Sequence, residues 1–392
     1  MNSERFDVVI VGGAVVGSAI AYFLTHDLDF SGSVVVIERD PTYARAATTL
    51  SVASIRQQFS TPENIRMSRF GVTFIEGLQQ RFGPDATVAY RPGGYLLLAG
   101  EAGRDRLVAN HAIQRRESAD IVLMDRAALG QRFGWLESGD LAAGAFGRSG
   151  EGWLDAHLLL DLLRRAARRK GVTYVNGTMT GIERAGDRVA AVALADGRRF
   201  ACGVLVNAAG PSAGDLAAMA GLRLPVEPRK RSVFVVACRT ALVGMPLIVD
   251  TTGVWVRPES NLYLCGVSPP EHADPRAADD DFDVDYTQFD EIVWPALAHR
   301  IKAMEELKLM RAWAGHYDFN TLDQNAVLGP HPQMTNFYFA NGFSGHGLQQ
   351  APATGRAIAE LIVHNRFVSL DLSVFGYERV AAGRAVRELN VI

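Results

Sequence analysis

Gly12-Gly13-Ala14-Val15-Val16-Gly17 follows a run of β-branched residues and opens a stretch with helical spacing. That order of strand, glycine turn and helix can hold the diphosphate of a dinucleotide. In the G-x-G-x-x-G pattern the first glycine makes the tight turn, the second lets backbone approach the pyrophosphate, and the third lets helix and strand touch, while the helix N-terminus presents its amides to the phosphates. Here Ala14 stands at the second glycine's position. Its methyl costs little if the backbone keeps a negative φ, but it crowds the closest approach, so the cofactor is expected over Ala14, slightly lifted or held through water. Glu38 closes the next strand, 38 − 17 = 21 residues on, where an acidic side chain is expected to hydrogen-bond an adenosine ribose. The fingerprint indicates a dinucleotide and does not separate NAD from FAD.

The surrounding elements must place that turn. Phe6 to Leu24, "FDVVIVGGAVVGSAIAYFL", has three readings: a membrane span, a signal peptide or a nucleotide cradle. Glu4 and Asp7 beside Arg5 leave no positive n-region, and Gly12, Gly13 and Gly17 disfavour a lipid-facing helix. "DVVIVGG" and "VVVIERD" then read as strands buried on both faces, joined by a helix into a βαβ unit. A helix is expected after the N-cap Asp155, stopped by Gly171 and followed by the strand "VTYV". Its basic end, Arg164, Arg165, Arg168, Arg169 and Lys170, complements the helix dipole. Two further glycine-rich strand-turn-helix units begin at "GVLVNAAGPSAGDLAAMAG" and "NFYFANGFSGHGLQQAPATGRAIAELI". Between them, "YLLLAG", "RSVFVVACR" and "GVWVRPESNLYLCGV" alternate as in a mixed or antiparallel sheet.

The fold class is therefore α/β. A Rossmann-like parallel-sheet dinucleotide domain is built from residues 1–85, 150–225 and 320–392, with a mixed or antiparallel-sheet substrate domain, 86–149 and 226–319, inserted between its pieces. The acidic stretch from Glu271 to Glu291 reads as an exposed connector.

With 48% hydrophobic residues, 21% charged and a net charge of −3, the 392-residue chain has the balance of a globular protein and no bias toward nucleic acid. Cys202, Cys238 and Cys265 are odd in number and widely spaced, which fits neither a disulfide framework nor a zinc site. They read as reduced thiols; no metal is expected, no integral membrane contact, and a cytoplasmic location.

Four segments, "VIVGGAVVGSAIAYFL…VVVIERD", "VNAAGPSAGDLAAMAG", "LDQNAVLGPHP" and "FYFANGFSGHGLQQAPATGRAIAELI", occur in the order found in the FAD-dependent D-amino-acid oxidase (DAO) superfamily. They resemble its glycine oxidase and sarcosine oxidase branch most. "SIRQQFSTPENI" also resembles a branch containing a mitochondrial FAD-dependent protein implicated in complex I assembly.

The resemblance implies FAD, with Gly12, Gly13, Ala14, Val16 and Gly17 at the pyrophosphate, Glu38 at the ribose and Arg39 beside the adenine. It places Thr48, Thr49 and Ser51 along the pyrophosphate and flavin, Met179 at the adenine, and Ala208, Ala209 and Gly210 against the cofactor. The loop Gly342 to Gln349, with Phe343, Gly345, His346, Gly347 and Leu348, would run along the flavin ring. Arg56 aligns with the branch's carboxylate-gripping arginine, a job suited to a planar bidentate donor. Trp255, Arg257, Tyr263, Tyr317 and Gln349 are its companions as substrate-pocket residues, and His346 is the nearest titratable group to the chemistry.

Two departures matter. Gln349 stands where sarcosine oxidases carry a lysine implicated in oxygen activation. "WAGHYDFNTLD" also lacks the cysteine that links flavin covalently in that branch, so FAD is expected to be noncovalent, with His316 a hydrogen-bonded neighbour of the flavin edge.

The resemblance thus implies oxidation of the C–N bond of a small amino acid, D-configured or N-substituted, by hydride transfer to flavin N5, giving an imine that hydrolyses. The electron acceptor would be oxygen, a quinone or an electron-transfer flavoprotein. Two other readings stay open. One is a 2-hydroxy-acid dehydrogenase, which requires a base for the hydroxyl proton; the other is a flavin-binding assembly factor without turnover, whose flavin-side cavity would be empty or sealed.

Overall fold

The β-branched runs of the N-terminal region are uninterrupted because both of their faces are covered. The computed structural model describes residues 4–389. In it Glu4–Val11 pairs in parallel with Val34–Glu38 on one side and Arg199–Asn207 on the other. Val8, Ile10, Val34 and Val36 point into a core formed with the helices Val15–His26, Ala156–Arg169 and Gly347–His364. Val9, Val11, Val35 and Ile37 point the opposite way, into a core with Met179, Val192, Leu216 and Phe337. The main path of this first sheet runs Val327–Pro330, Phe337–Asn341, Arg199–Asn207, Glu4–Val11, Val34–Glu38, Thr173–Asn176. The antiparallel hairpin Met179–Ala185 and Arg188–Leu194 branches from Arg199–Asn207.

The apolar run that opens the chain thus divides at its glycines into a strand and a helix. Among the described residues no helix is long and apolar enough to cross a membrane.

A second eight-stranded sheet is antiparallel apart from one parallel pair, Leu247–Val249 with Tyr95–Ala99. Its edge strand Lys308–Asn320 pairs along its length with Val226–Ala237. All of its strands come from residues 95–147 and 226–320, between the segments that build the first sheet. A short antiparallel pair, Ser54–Ile55 with Gly152–Trp153, ties the segment entering Arg56 to the chain that leaves the second sheet.

Asp155 caps its helix by accepting from Leu158 N at 3.0 Å, and Gly171, with φ +89°, follows the helix end. In the basic cluster, Arg164 and Arg165 both pair with Asp161.

The acidic stretch is exposed over most of its length, as its composition suggests, but is pinned to the second sheet at particular residues. Asp274 is buried in a two-pronged pair with Arg231, Asp281 holds the Lys230 ammonium at 2.7 Å, and Phe282 stacks on His316 with ring centroids 4.3 Å apart. Lys230 and Arg231 on strand Val226–Ala237, distant in sequence, pair with Asp281 and Asp274 and hold the segment at those two points.

Candidate active site

Gly12 has φ +99°, and a Cβ built on it would lie 2.2 Å from the carbonyl oxygen of Ala208, so the turn closes against the next parallel strand only because this residue is glycine. A Cβ on Gly17 would sit 1.9 Å from Gly12 O, which is the close helix-to-strand contact of the pattern's last glycine. Ala14 caps the helix in extended backbone, φ −68° and ψ −166°, so its methyl costs no backbone strain. Thr48 Oγ1 accepts from Val15 N at 3.3 Å. Thr49 Oγ1 is buried and finds no hydrogen-bond partner among the described residues. The residues that fit a diphosphate are the Gly12 turn, which a Cβ would fill, and Ala14, Val15 and Thr48 on the cleft at the helix N-terminus.

The two Glu38 carboxylate oxygens accept from Gly13 N at 2.8 Å and Asp40 N at 2.9 Å. Glu38 thereby stiffens the turn while standing on the wall of two adjoining clefts. One extends past Arg39 to Met179; the other runs over Ala14, Val16, Thr48, Ser51 and Ala208–Gly210 to the loop bearing Phe343, Gly345, Gly347 and Leu348. Gly13, Gly17, Thr49 and Gly342, expected at the cofactor, border neither cleft. Replacing Ala14 by glycine is expected to change the dissociation constant for the dinucleotide by less than about threefold, because the methyl is unstrained; equilibrium titration of apoprotein checks this.

The C-terminal loop is held from below by Asp318. Its carboxylate accepts from Gly342 N at 2.9 Å and Phe343 N at 3.1 Å, and burial pushes its pKa up to about 6 against those amides. Gly345 has φ +95°, and any Cβ there would meet the Tyr317 ring at 2.6 Å. Tyr317 thus lies flush on the loop, with the Arg231 guanidinium 5.1 Å from its ring centroid. His316 Nε2 bonds Asp281 O at 2.7 Å and faces the same cleft.

Past Tyr317 the cleft opens into a chamber bounded by Arg56, Tyr95, Trp255, His346 and Gln349. Ala47, Ser51, His316, Tyr317, Gly345 and Leu348 border both spaces, so chamber and cleft are continuous. Arg56 is 2% exposed and is gripped on every side. Its backbone N donates to Gln349 Oε1 at 2.8 Å, one Nη donates to Gln58 O, and the other lies 2.9 Å from His346 Nε2. Its guanidinium stacks 4.0 Å from the Phe59 ring centroid. Burial and the Arg56 charge drive the His346 pKa well below the usual imidazole range, so the ring is neutral and its Nε2 accepts from the guanidinium.

Two residues expected at the substrate do not reach the chamber. Arg257 turns away to pair with Glu259 and to donate to Val52 O at 2.8 Å, with Trp153 beneath it. Tyr263 is buried in the second sheet's core, where its hydroxyl accepts from Leu242 N. Trp255 and Arg257 share one face of their strand, but only Trp255 fronts the chamber, because Glu259 and Val52 O hold the Arg257 guanidinium aside; Tyr263, one residue before Leu264 on the next strand, points to the opposite face. Tyr95 and Arg231 line the chamber without having been anticipated. The doublet Gly93-Gly94 before Tyr95 and the basic run Arg229-Lys230-Arg231 were the available signals.

Comparison with known proteins fits this geometry. The family model described as FAD dependent oxidoreductase (DAO) matches residues 7–361. The chain is 40% identical to FAD-dependent oxidoreductase domain-containing protein 1 of Xenopus laevis over 427 aligned residues, covering 99% of this chain and 85% of that protein. The fold matches L-proline dehydrogenase from P. horikoshii with a TM-score of 0.86 at 23% identity, over 98% of this chain and 100% of that one. It matches glycine oxidase from Geobacillus kaustophilus with a TM-score of 0.80 at 22% identity, over 95% and 98%. A glycine-walled dinucleotide cleft leading to a chamber that carries a buried arginine is what such an oxidoreductase requires, and the chain belongs to the DAO family of FAD-dependent oxidoreductases.

Proposed function

We propose that the protein oxidises the C–N bond of a small amino acid, D-configured or N-substituted, using noncovalently held FAD. The observation that carries this reading is Arg56, a buried cation fixed in orientation on the wall of a chamber that opens from the cofactor cleft. A planar guanidinium so held matches a carboxylate and orients the rest of the substrate at little entropic cost. Bound FAD supplies a hydride acceptor for the carbon that carries nitrogen.

The residues around the chamber do the positioning. Arg56 anchors the carboxylate, Gln349 and His346 keep Arg56 in place, and Tyr317 and Trp255 narrow the space around the reacting carbon. An amine that enters uncharged needs no protein base. Oxidation of a hydroxy acid does, and of the two imidazoles that border the chamber, His346 has its Nε2 committed to Arg56 and His316 its Nε2 to Asp281 O. That favours the amine over the 2-hydroxy acid. A flavin with a purely structural role calls for no chamber of this kind, which weighs against turnover-free assembly duty.

Gln349 turns its carbonyl to Arg56 N and offers no cation to the cofactor's face, which supports a quinone or electron-transfer protein over oxygen as acceptor. None of the three cysteines borders the cleft or the chamber, in keeping with noncovalent FAD. Acid precipitation is expected to leave the yellow chromophore in the supernatant; a yellow pellet would contradict noncovalent binding. The reading as a whole is tested by mixing the purified flavoprotein anaerobically with a panel of D-, L- and N-alkyl amino acids and 2-hydroxy acids. Bleaching by D- or N-alkyl amino acids is expected, whereas bleaching by hydroxy acids alone would overturn it.

A further inference from the structure

Strand Ala143–Gly147 leaves the second sheet and runs through Arg148-Ser149-Gly150-Glu151 into Gly152–Trp153, which pairs with Ser54–Ile55 immediately before Arg56. At the tip of this excursion Glu151 is 1% exposed. One carboxylate oxygen accepts from Gln57 N at 2.6 Å and the other from Gln58 Nε2 at 2.9 Å. The loop backbone presses on the same groups. A Cβ on Gly147 would stand 1.8 Å from Glu151 Oε2, and one on Gly150, where φ is +69°, would stand 2.1 Å from Gln57 Nε2. Glu151 borders neither the chamber nor the cofactor cleft. It grips the two residues after Arg56, and the second of them, Gln58, supplies the carbonyl that receives the Arg56 guanidinium.

We propose that Glu151 is a positioning residue for substrate binding: its carboxylate, delivered from the second sheet, fixes Gln57 and Gln58 and through them aims Arg56 into the chamber. The proposal rests on Arg56 being the carboxylate anchor.

The geometry requires an ionised Glu151, since two N–H donors converge on it. Burial pushes its pKa up to about 7, while the Gln58 and Gln57 donors and the Arg56 charge pull the other way. The other titratable groups facing it are the phenols of Tyr90 and Tyr95, each raised chiefly by its own burial. Protonation would turn one accepting oxygen into a donor pointed at an N–H and release the segment. The stability consequence has the opposite sign. The folded-state value lies above the ordinary 4.5, so the folded protein binds the proton more tightly, and stability falls as pH rises from about 4.5 to about 7. The carboxylate therefore favours binding in the pH range where it costs stability, which a merely structural group would not do.

The test is titration of the FAD-loaded protein with sodium acetate, followed through the flavin absorbance, together with melting temperatures, near pH 6 and near pH 8. In wild type the acetate affinity is expected to rise as pH climbs through about 7. In Glu151→Gln it is expected to be about tenfold weaker near pH 8, as for a lost hydrogen bond to a charged group, with that step gone. Glu151→Asp keeps the charge and should keep the step. Any step near 6 from Asp318 would persist in all three. The drop in melting temperature between the two pH values should shrink in Glu151→Gln. Wild-type affinity with an unchanged pH step in Glu151→Gln would overturn the proposal. Wild-type acetate affinity in Arg56→Ala would instead overturn the anchor on which it rests.

Discussion

Replacing Arg56 by alanine is expected to raise the KM for an amino acid substrate by roughly ten- to a hundredfold. A hydrogen bond to a charged group is worth about 1.5–3 kcal/mol, and Arg56 would make such bonds from a site where little water competes. Steady-state kinetics gives the number, and the flavin spectrum shows whether the holoprotein has survived. Arg56→Lys should fall between the two, since it keeps charge but lacks the planar fork that stacks on Phe59 and reaches His346 Nε2 and Gln58 O together. An unchanged KM in Arg56→Ala, with flavin still bound, would remove Arg56 from substrate recognition.

Gly12→Ala should yield protein that holds little or no FAD. The new methyl would meet the Ala208 carbonyl oxygen at 2.2 Å, and the residue would have to keep φ +99°. Left-handed backbone costs a side-chain-bearing residue about 1–2 kcal/mol, and here the obstacle is main chain of the next parallel strand, which cannot move aside as a flexible side chain would. Wild-type apoprotein should gain about 2.7 kcal/mol of stability at a hundredfold excess of FAD over its dissociation constant. The variant should gain almost nothing at that concentration. Comparing flavin-to-protein absorbance ratios and melting temperatures with and without FAD checks both statements. A fully loaded variant would show that the Gly12 turn is not what admits the cofactor.

The cofactor half of the molecule was legible because its signals are local. Two doubly covered strands, a glycine turn and an acidic residue at the end of the second strand all lie within Phe6 to Asp40, and "GFSGHG" repeats the logic at the other end of the chain. Ala14 looked like a flaw in the pattern, and its φ of −68° explains why alanine is tolerated there.

The substrate side was legible only in fragments, because its contacts cross long stretches of sequence. Asp274 and Asp281 read as solvated charges until Arg231 and Lys230 come to lie beneath them. Arg257 and Tyr263 sit on strands whose facing could not be deduced from alternation alone, and their side chains brace Val52 and the second core instead. Glu151 gave no signal at all: its partners, Gln57 and Gln58, precede it by more than ninety residues, and nothing in "GRSGEGW" announces a buried carboxylate.

The measurement that bears most directly on the proposed chemistry is anaerobic rapid mixing of the flavoprotein with the most active D- or N-alkyl amino acid and, separately, with the same amine lacking its carboxylate. Single-turnover bleaching should be fast for the amino acid in wild type and slowed at subsaturating substrate in Arg56→Ala, and the decarboxylated amine should react poorly with both. Equal bleaching of wild type by the two compounds would contradict an Arg56-anchored amino acid oxidation.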